Sequence, residues 1–243
     1  AQDLNPDSLV YKEDFSVSDI KTLKFNLTFE NLITDVFYGD EITVEIYSNN
    51  LIKTPVVSVA GTSLSISSTK QKNTPGDLCT VVVYIPKKHT FESVSISNNK
   101  GSINLKSINV FDYIKISTTS GNIKLSNSNT SYLNAKTQSG NIKLNSQVLD
   151  YFETSTQSGE ISINLLDSPY GKSFAKTESG NITLKLPSYA DYNLELKSKN
   201  GSFWDVKNNS NEQLKRTLYK KINSGGVIIH AETKSGNIYL QSQ

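Results

Sequence analysis

Few side chains in this 243-residue chain could do covalent chemistry. The sharpest pair is Glu160 and Glu178, because glycoside hydrolysis needs two carboxyl groups roughly 5–10 Å apart. Glu160 directly follows one glycine of a repeated phrase and Glu178 lies two residues before the next, so they could meet diagonally across one edge. The register that sets Glu178 between Gln157 and Lys199 reads more simply as an exposed ion pair. The two histidines, His89 and His230, lie far apart in the chain and read as surface residues. Cys79 is the single cysteine, sits in the alternating run CTVVVYI, and reads as a packed thiol without a disulfide partner. No HExxH, paired CxxC, GxSxG or phosphate-loop pattern occurs. The expectation is a protein that is not an enzyme and needs no cofactor or metal.

Non-covalent recognition has more material. Lys115, Lys136 and Lys176 take outward positions on strands entering the repeated phrase, and Lys124 and Lys143 share an outward position on strands leaving it. Stacked, they would form one or two basic stripes able to hold an anionic polymer, or a solvated face that keeps a strand-rich protein soluble. Tyr132, Tyr151 and Tyr170 recur at about one-unit intervals and could form a ladder along one edge, for packing or for stacking on sugars. The longest interruption of the repeat carries Lys207, Lys215, Arg216, Lys220 and Lys221, which fits a solvated loop or a binding loop.

The elements that must position these groups follow from the repeat. KGSINL, SGNIKL (twice), SGEISI, SGNITL, NGSFWD and SGNIYL carry glycines at 101, 121, 140, 159, 180, 201 and 236, and five of the six intervals are about twenty residues. That period marks a stacked repeat protein. Two and four residues after each glycine come apolar side chains, such as Ile123 and Leu125 or Ile142 and Leu144; seven and five before it come others, such as Ile114 and Ile116. Alternation with period two predicts strands with one buried face. Each unit is thus a strand into a glycine corner and a strand out of it, which pairs with its counterpart about 4.8 Å away. Glycine is expected to supply a positive φ at that corner. Asn122, Asn141, Asn181 and Asn237 after it, and Thr118, Thr137, Thr156, Thr177 and Thr233 three before it, should stack as polar ladders.

The fold class expected is all-β, a single-stranded parallel β-helix or β-roll-like solenoid. Residues 1–14 read as an N-terminal extension and 15–243 as one solenoid, irregular over 15–95, regular over 96–243 and interrupted at about 205–226; a sandwich-like N-terminal half is the alternative. The ending SGNIYLQSQ stops inside a strand unit, so the C-terminal edge is a candidate for self-association. A net charge of +2 gives no nucleic-acid signature, and no apolar run is long enough to span a membrane. The start, AQDLNPDS, fits the product of signal-peptide cleavage, so export is expected.

The segments FSVSDIKTLKFNL, GDEITVEI, LSIS and VVVYIPK, followed by the serial SGNI phrases, resemble the bacterial families called putative adhesins. These include the group named for a terminal Gly-Ile-Asn head motif, although this chain reads Gly-Asn-Ile. The resemblance covers roughly residues 15–243 and implies an exported, strand-repeat binding or structural module of the cell envelope, at the periplasm, cell surface or beyond. Its partner would be a glycan, an envelope polymer or a surface protein. The alternatives are a carbohydrate-active β-helix enzyme and a self-assembling structural β-helix.

Overall fold

In the computed structural model of the chain, residues 8–213 and 217–242 are described. Among the described residues, twenty-two strands form two large sheets whose inner faces enclose one apolar core, and one short 3-10 turn, Leu51–Lys53, lies between strands. The alternating pattern builds them: in IKLS of one unit, Ile123 and Leu125 are buried while Lys124 is exposed.

Sheet A crosses the molecule from β1 (Leu9–Ser16) to β4 (Glu41–Ser48), β7 (Cys79–Pro86), β3 (Asn31–Phe37), β9 (Ile103–Lys106) and β11 (Ile123–Ser126). It continues through the first part of β13 (Ile142–Ser158), then β14 (Ile161–Leu165), β16 (Ile182–Leu186), β22 (Ile238–Ser242), β18 (Ser202–Asp205) and β19 (Ser210–Gln213). Sheet B runs from β5 (Val56–Ala60) to β6 (Ser63–Ser67), β2 (Thr22–Asn26), β8 (Thr90–Asn98), β10 (Asn109–Thr118) and β12 (Asn129–Ser139). Its remaining members are the second part of β13, β15 (Ser173–Ser179), β21 (Val227–Ser235), β17 (Tyr192–Ser198) and β20 (Leu218–Ile222).

The middle of both sheets is parallel and in the expected register: Ile123 pairs with Ile103 and Ile142, and Ile114 with Val94 and Leu133. The ends depart from a single-stranded parallel helix. The pairs β1–β4, β4–β7, β5–β6, β17–β20 and β18–β19 are antiparallel, so both sheets are mixed. Chain order also breaks at both ends. The unit β2–β3 sits inside β6 and β7, and the final unit β21–β22 slots between β15–β16 and β17–β18. This corrects the expected C-terminal edge: SGNIYLQ has a strand on each side, and among the described residues the outermost strands at that end are β19 and β20. Burying the last parallel strands and finishing on short antiparallel strands blunts the long open edge that a simple stack would leave.

Glycine is needed in the repeat for close approach more than for its φ. Of the seven phrase glycines only Gly180 and Gly236 have positive φ, at 148° and 152°. At all seven, an added Cβ would be driven into the backbone carbonyl oxygen of the preceding unit: Glu30 beneath Gly101, then each glycine beneath the next, ending with Gly236 beneath Gly201. Most of those carbonyls are capped from the next unit. Thr156 donates to Gly140 O at 3.0 Å, Thr177 to Gly159 O at 3.0 Å, Thr233 to Gly180 O at 2.9 Å and Ser198 to Gly236 O at 3.0 Å. The asparagine ladder forms beside it. Asn122 Oδ1 accepts from Asn141 N at 2.9 Å, Asn141 Oδ1 from Glu160 N at 2.8 Å and Asn181 Oδ1 from Asn237 N at 2.9 Å.

A lysine ion pair stands near each end of the sheets. At one end Lys53, in the 3-10 turn, pairs with Asp77 at 2.5 Å with both side chains buried. At the other, Lys220 lies over the Phe203 ring, 4.8 Å from its centre, and reaches Asp205 at 3.7 Å and Glu212 at 3.5 Å. Asp205 occupies the offset that elsewhere holds a core leucine, pairing in register with Leu240.

Candidate functional site

The outer face of sheet B carries the best-formed polar surface. Lys24, on β2, and Lys115, on β10, lie on one cross-strand row with Ser95 between them, and Asn134 follows. The adjacent row runs Asn26, Ser97, Ser117, Lys136 and Ser155. These rows enclose a depression of about 580 Å³ lined by Lys24, Lys115 and Lys136 with serine and asparagine between and with Phe25, Ile96 and Ile116; the first row continues past Asn134 to Glu153, whose carboxylate accepts from Asn134 at 3.2 Å. Lysine ammonium groups around a floor of hydroxyls and amides can pair with anionic groups and hydrogen-bond neutral hydroxyls together.

The tyrosine row borders the depression. Tyr113, Tyr132 and Tyr151 pair in register across β10, β12 and β13. Tyr132 and Tyr151 stack with ring centres 4.6 Å apart, and Lys115 Nζ lies 4.3 Å from the centre of the Tyr113 ring. Asn134 donates to the Tyr132 hydroxyl at 2.7 Å, and burial pushes that hydroxyl's pKa up. Tyr170 stands apart in a turn, 77% exposed; its neighbour Gly171 packs against the Tyr151 side chain instead. Tyr113 is the third rung that sequence reasoning missed. It lies eight residues before Gly121, as Tyr132 and Tyr151 do before Gly140 and Gly159, whereas Tyr170 lies ten before Gly180.

The remaining lysines do not join this surface into one stripe. Lys115 and Lys136 sit one row apart, and Lys176 is separated from Lys136 by Ser155 and followed by Glu232. Lys176 also reaches the Phe174 ring, at 5.3 Å from its centre. Lys124 and Lys143 are direct neighbours, both exposed, but on sheet A. Lys220 closes the core end, and Lys221 is exposed beside it. Lys215 and Arg216 lie outside the described residues. Lys24 escaped the sequence reading because β2 precedes the first repeated phrase and has no glycine offset to mark its outward position.

The groups considered for covalent chemistry are otherwise engaged. Glu160 takes an asparagine's place in the ladder, and Asn181 Nδ2 donates to it at 3.4 Å. Glu178 is held by Lys234 at 2.6 Å, because the inserted final unit is its true neighbour in place of the unit carrying Lys199. His89 is partly buried, 3.1 Å from the Ile20 carbonyl and edge-on to Phe91, and burial pushes its pKa down. His230 is buried and not a surface residue. Its Nδ1 meets Glu195 and its Nε2 meets Glu232, each at 3.2 Å, which ties β21 to β17. Cys79 is buried, and burial with the nearby Glu30 charge raises its thiol pKa to about 12.

Two capped sheets around one core, built from stacked strand pairs and bearing a lysine, serine and tyrosine face, define an all-β repeat protein. The chain belongs to the Toastrack DUF4097 family, whose sequence pattern matches residues 20–241. Two crystal structures share the fold at a TM-score of 0.51 and 15% identity each. One, called a putative adhesin, is from Bacteroides fragilis and aligns over 96% of this chain and 97% of its own. The other, called a putative lipid binding protein, is from Parabacteroides distasonis and aligns over 95% of this chain and 96% of its own. No curated protein matches the chain.

Proposed function

We propose that this protein is a non-catalytic, exported binding module of the bacterial cell envelope, and that it engages an anionic glycan or envelope polymer through the outer face of sheet B. The observation that carries the reading is the cluster of Lys24, Lys115 and Lys136 around a floor rich in serine and asparagine, bordered by a tyrosine row. The rows run across several strands about 4.8 Å apart, which suits an extended polymer better than a compact ligand. The name of the Parabacteroides protein motivates including anionic lipid among the probes.

The test is binding of the purified chain to an array of neutral, carboxylated and sulfated glycans, wall polymers and anionic vesicles at low and high salt, with product analysis. Saturable binding to anionic members, weakened by salt and without cleavage, is expected. Glycan cleavage would overturn the reading in favour of an enzyme, and salt-insensitive binding to neutral glycans would shift the site from the lysines to the tyrosines.

A further inference from the structure

The two sheets have four outermost strands, and three of them carry charge: Lys12, Glu13 and Asp14 on β1, Glu212 on β19, and Lys220 and Lys221 on β20. The fourth, β5, reads VVSVA. It is uncharged, has only β6 as a strand partner among the described residues, and leaves Val56 58% and Val59 46% exposed. Leu51 and Ile52, just before it, are 59% and 75% exposed. Edge strands in soluble proteins are ordinarily blunted by charge, proline or a bulge; here Pro55 stands just before the strand, but Val56–Ala60 itself holds no charge, proline or register shift.

We propose that β5 is a homodimerisation edge, at which a second copy of this chain adds its own β5 antiparallel and joins the two B sheets. The strand is its own best complement. A two-fold axis through Ser58 sets Ser58 against Ser58, Val57 against Val59 and Val56 against Ala60, with no charge left unpaired. Val57 and Val59 lie opposite Ile66 and Leu64 of β6, on the core side of the sheet, so the pairing buries Val59 beside an existing core. A charged peptide would find no complementary charge on this strand, whereas a second copy supplies an uncharged one with β-branched Val56, Val57 and Val59.

The symmetry has a structural consequence. A two-fold axis perpendicular to a continuous sheet keeps both outer faces on the same side. The order β5, β6, β2 puts Lys24 two strands from the join, so the Lys24 strands of the two copies would stand about 24 Å apart, five strand spacings. The dimer itself does not depend on the proposed ligand; its effect on binding, two depressions on one surface, does.

Sedimentation equilibrium without ligand, from micromolar to sub-millimolar concentration, tests it. A reversible dimer is expected. Ser58→Lys, which opposes two ammonium groups across the axis, should weaken it by about tenfold or more, while Asn211→Lys on β19 leaves it unchanged. Ser58→Cys should form a covalent dimer on mild oxidation with native circular dichroism; the buried Cys79 does not compete. A monomer at every concentration, a dimer indifferent to Ser58→Lys in folded protein, or failure of Ser58→Cys to crosslink would each overturn the proposal.

Discussion

The middle of the molecule and its two ends solve the same problem by different means. From β8 to β16 every unit repeats the same offsets, pairs in parallel, and closes its corner on the carbonyl of the unit before it. At the ends the chain turns back, inserts a unit out of order and changes to antiparallel pairing, with a lysine over the core at the β20 end and the Lys53–Asp77 pair near the other. A parallel stack has no intrinsic stopping point, since each strand edge is a template for the next. The comparison teaches that the repeat supplies the body and the flat outer face, while the non-repeating segments supply termination.

The largest effect should separate the glycine column from glycines elsewhere. Gly140→Ala would force a Cβ into the Gly121 carbonyl oxygen and is expected to destabilise by more than about 4 kcal/mol in urea or thermal unfolding. Gly61→Ala, at φ +58° with open space around it, should cost only about 1 kcal/mol. Similar losses at both sites would mean that turn conformation, not close approach, selects glycine in the repeat.

The end caps come next. Lys53→Met leaves Asp77 buried without its cation and should cost about 3 kcal/mol. Lys21→Met, removing an exposed pair with Glu92, should change unfolding little. Equal effects would deny the buried pair its role in holding the segment 50–77 in place.

Acid should distinguish the regions as well. The Lys53 ammonium and the Thr74 N–H hold Asp77 well below the usual carboxylate range. At the opposite end burial raises Glu195 and Glu232, but their contacts with His230 and with Lys172 or Lys197 outweigh it and leave both lowered. Groups depressed on folding contribute stability that is complete above their ordinary value of about 4 and is lost as pH falls below it through the folded value. Hydrogen exchange at about pH 3 should therefore open β17, β21 and the segment 50–77 relative to neutral pH before β10 and β12. Uniform loss across the sheets would contradict this.

The smallest expected effect is in the side-chain ladder. Asn141→Ala removes the acceptor for Glu160 N on an exposed edge and should cost about 1 kcal/mol, read from the unfolding midpoint.

What the sequence makes legible follows the same division. Period-two alternation and constant offsets from glycine identify the strands of the middle units, their buried pairs such as Ile142 and Leu144, and the asparagine and threonine ladders. Local pattern suffices there because each unit's neighbour carries the same pattern. Order is invisible for that very reason: Ile238 and Leu240 match Ile182 and Leu184 as well as any other unit, so nothing local says that 227–242 lies inside 192–205. The one clue is Asp205, whose carboxylate at an apolar offset marks the unit that meets Lys220 at the end. On the candidate surface, Lys115 and Lys136 were legible from their offsets, but Lys24 reaches them only through the pairing of β2 with β8, residues about seventy apart in the chain. The tyrosine row was legible for two of its rungs, and the shared offset of eight identifies the third as Tyr113.

The measurement that bears most directly on function compares two charge reversals by titration with a sulfated or carboxylated polysaccharide. The variant with Lys24→Glu, Lys115→Glu and Lys136→Glu removes the cluster on sheet B, and the variant with Lys124→Glu and Lys143→Glu removes the neighbouring lysines of sheet A. Binding that falls about tenfold or more in the first and stays near wild type in the second is the predicted result. Equal losses in both, with folding intact, would show that net charge and not the sheet B face holds the polymer, and would contradict the account.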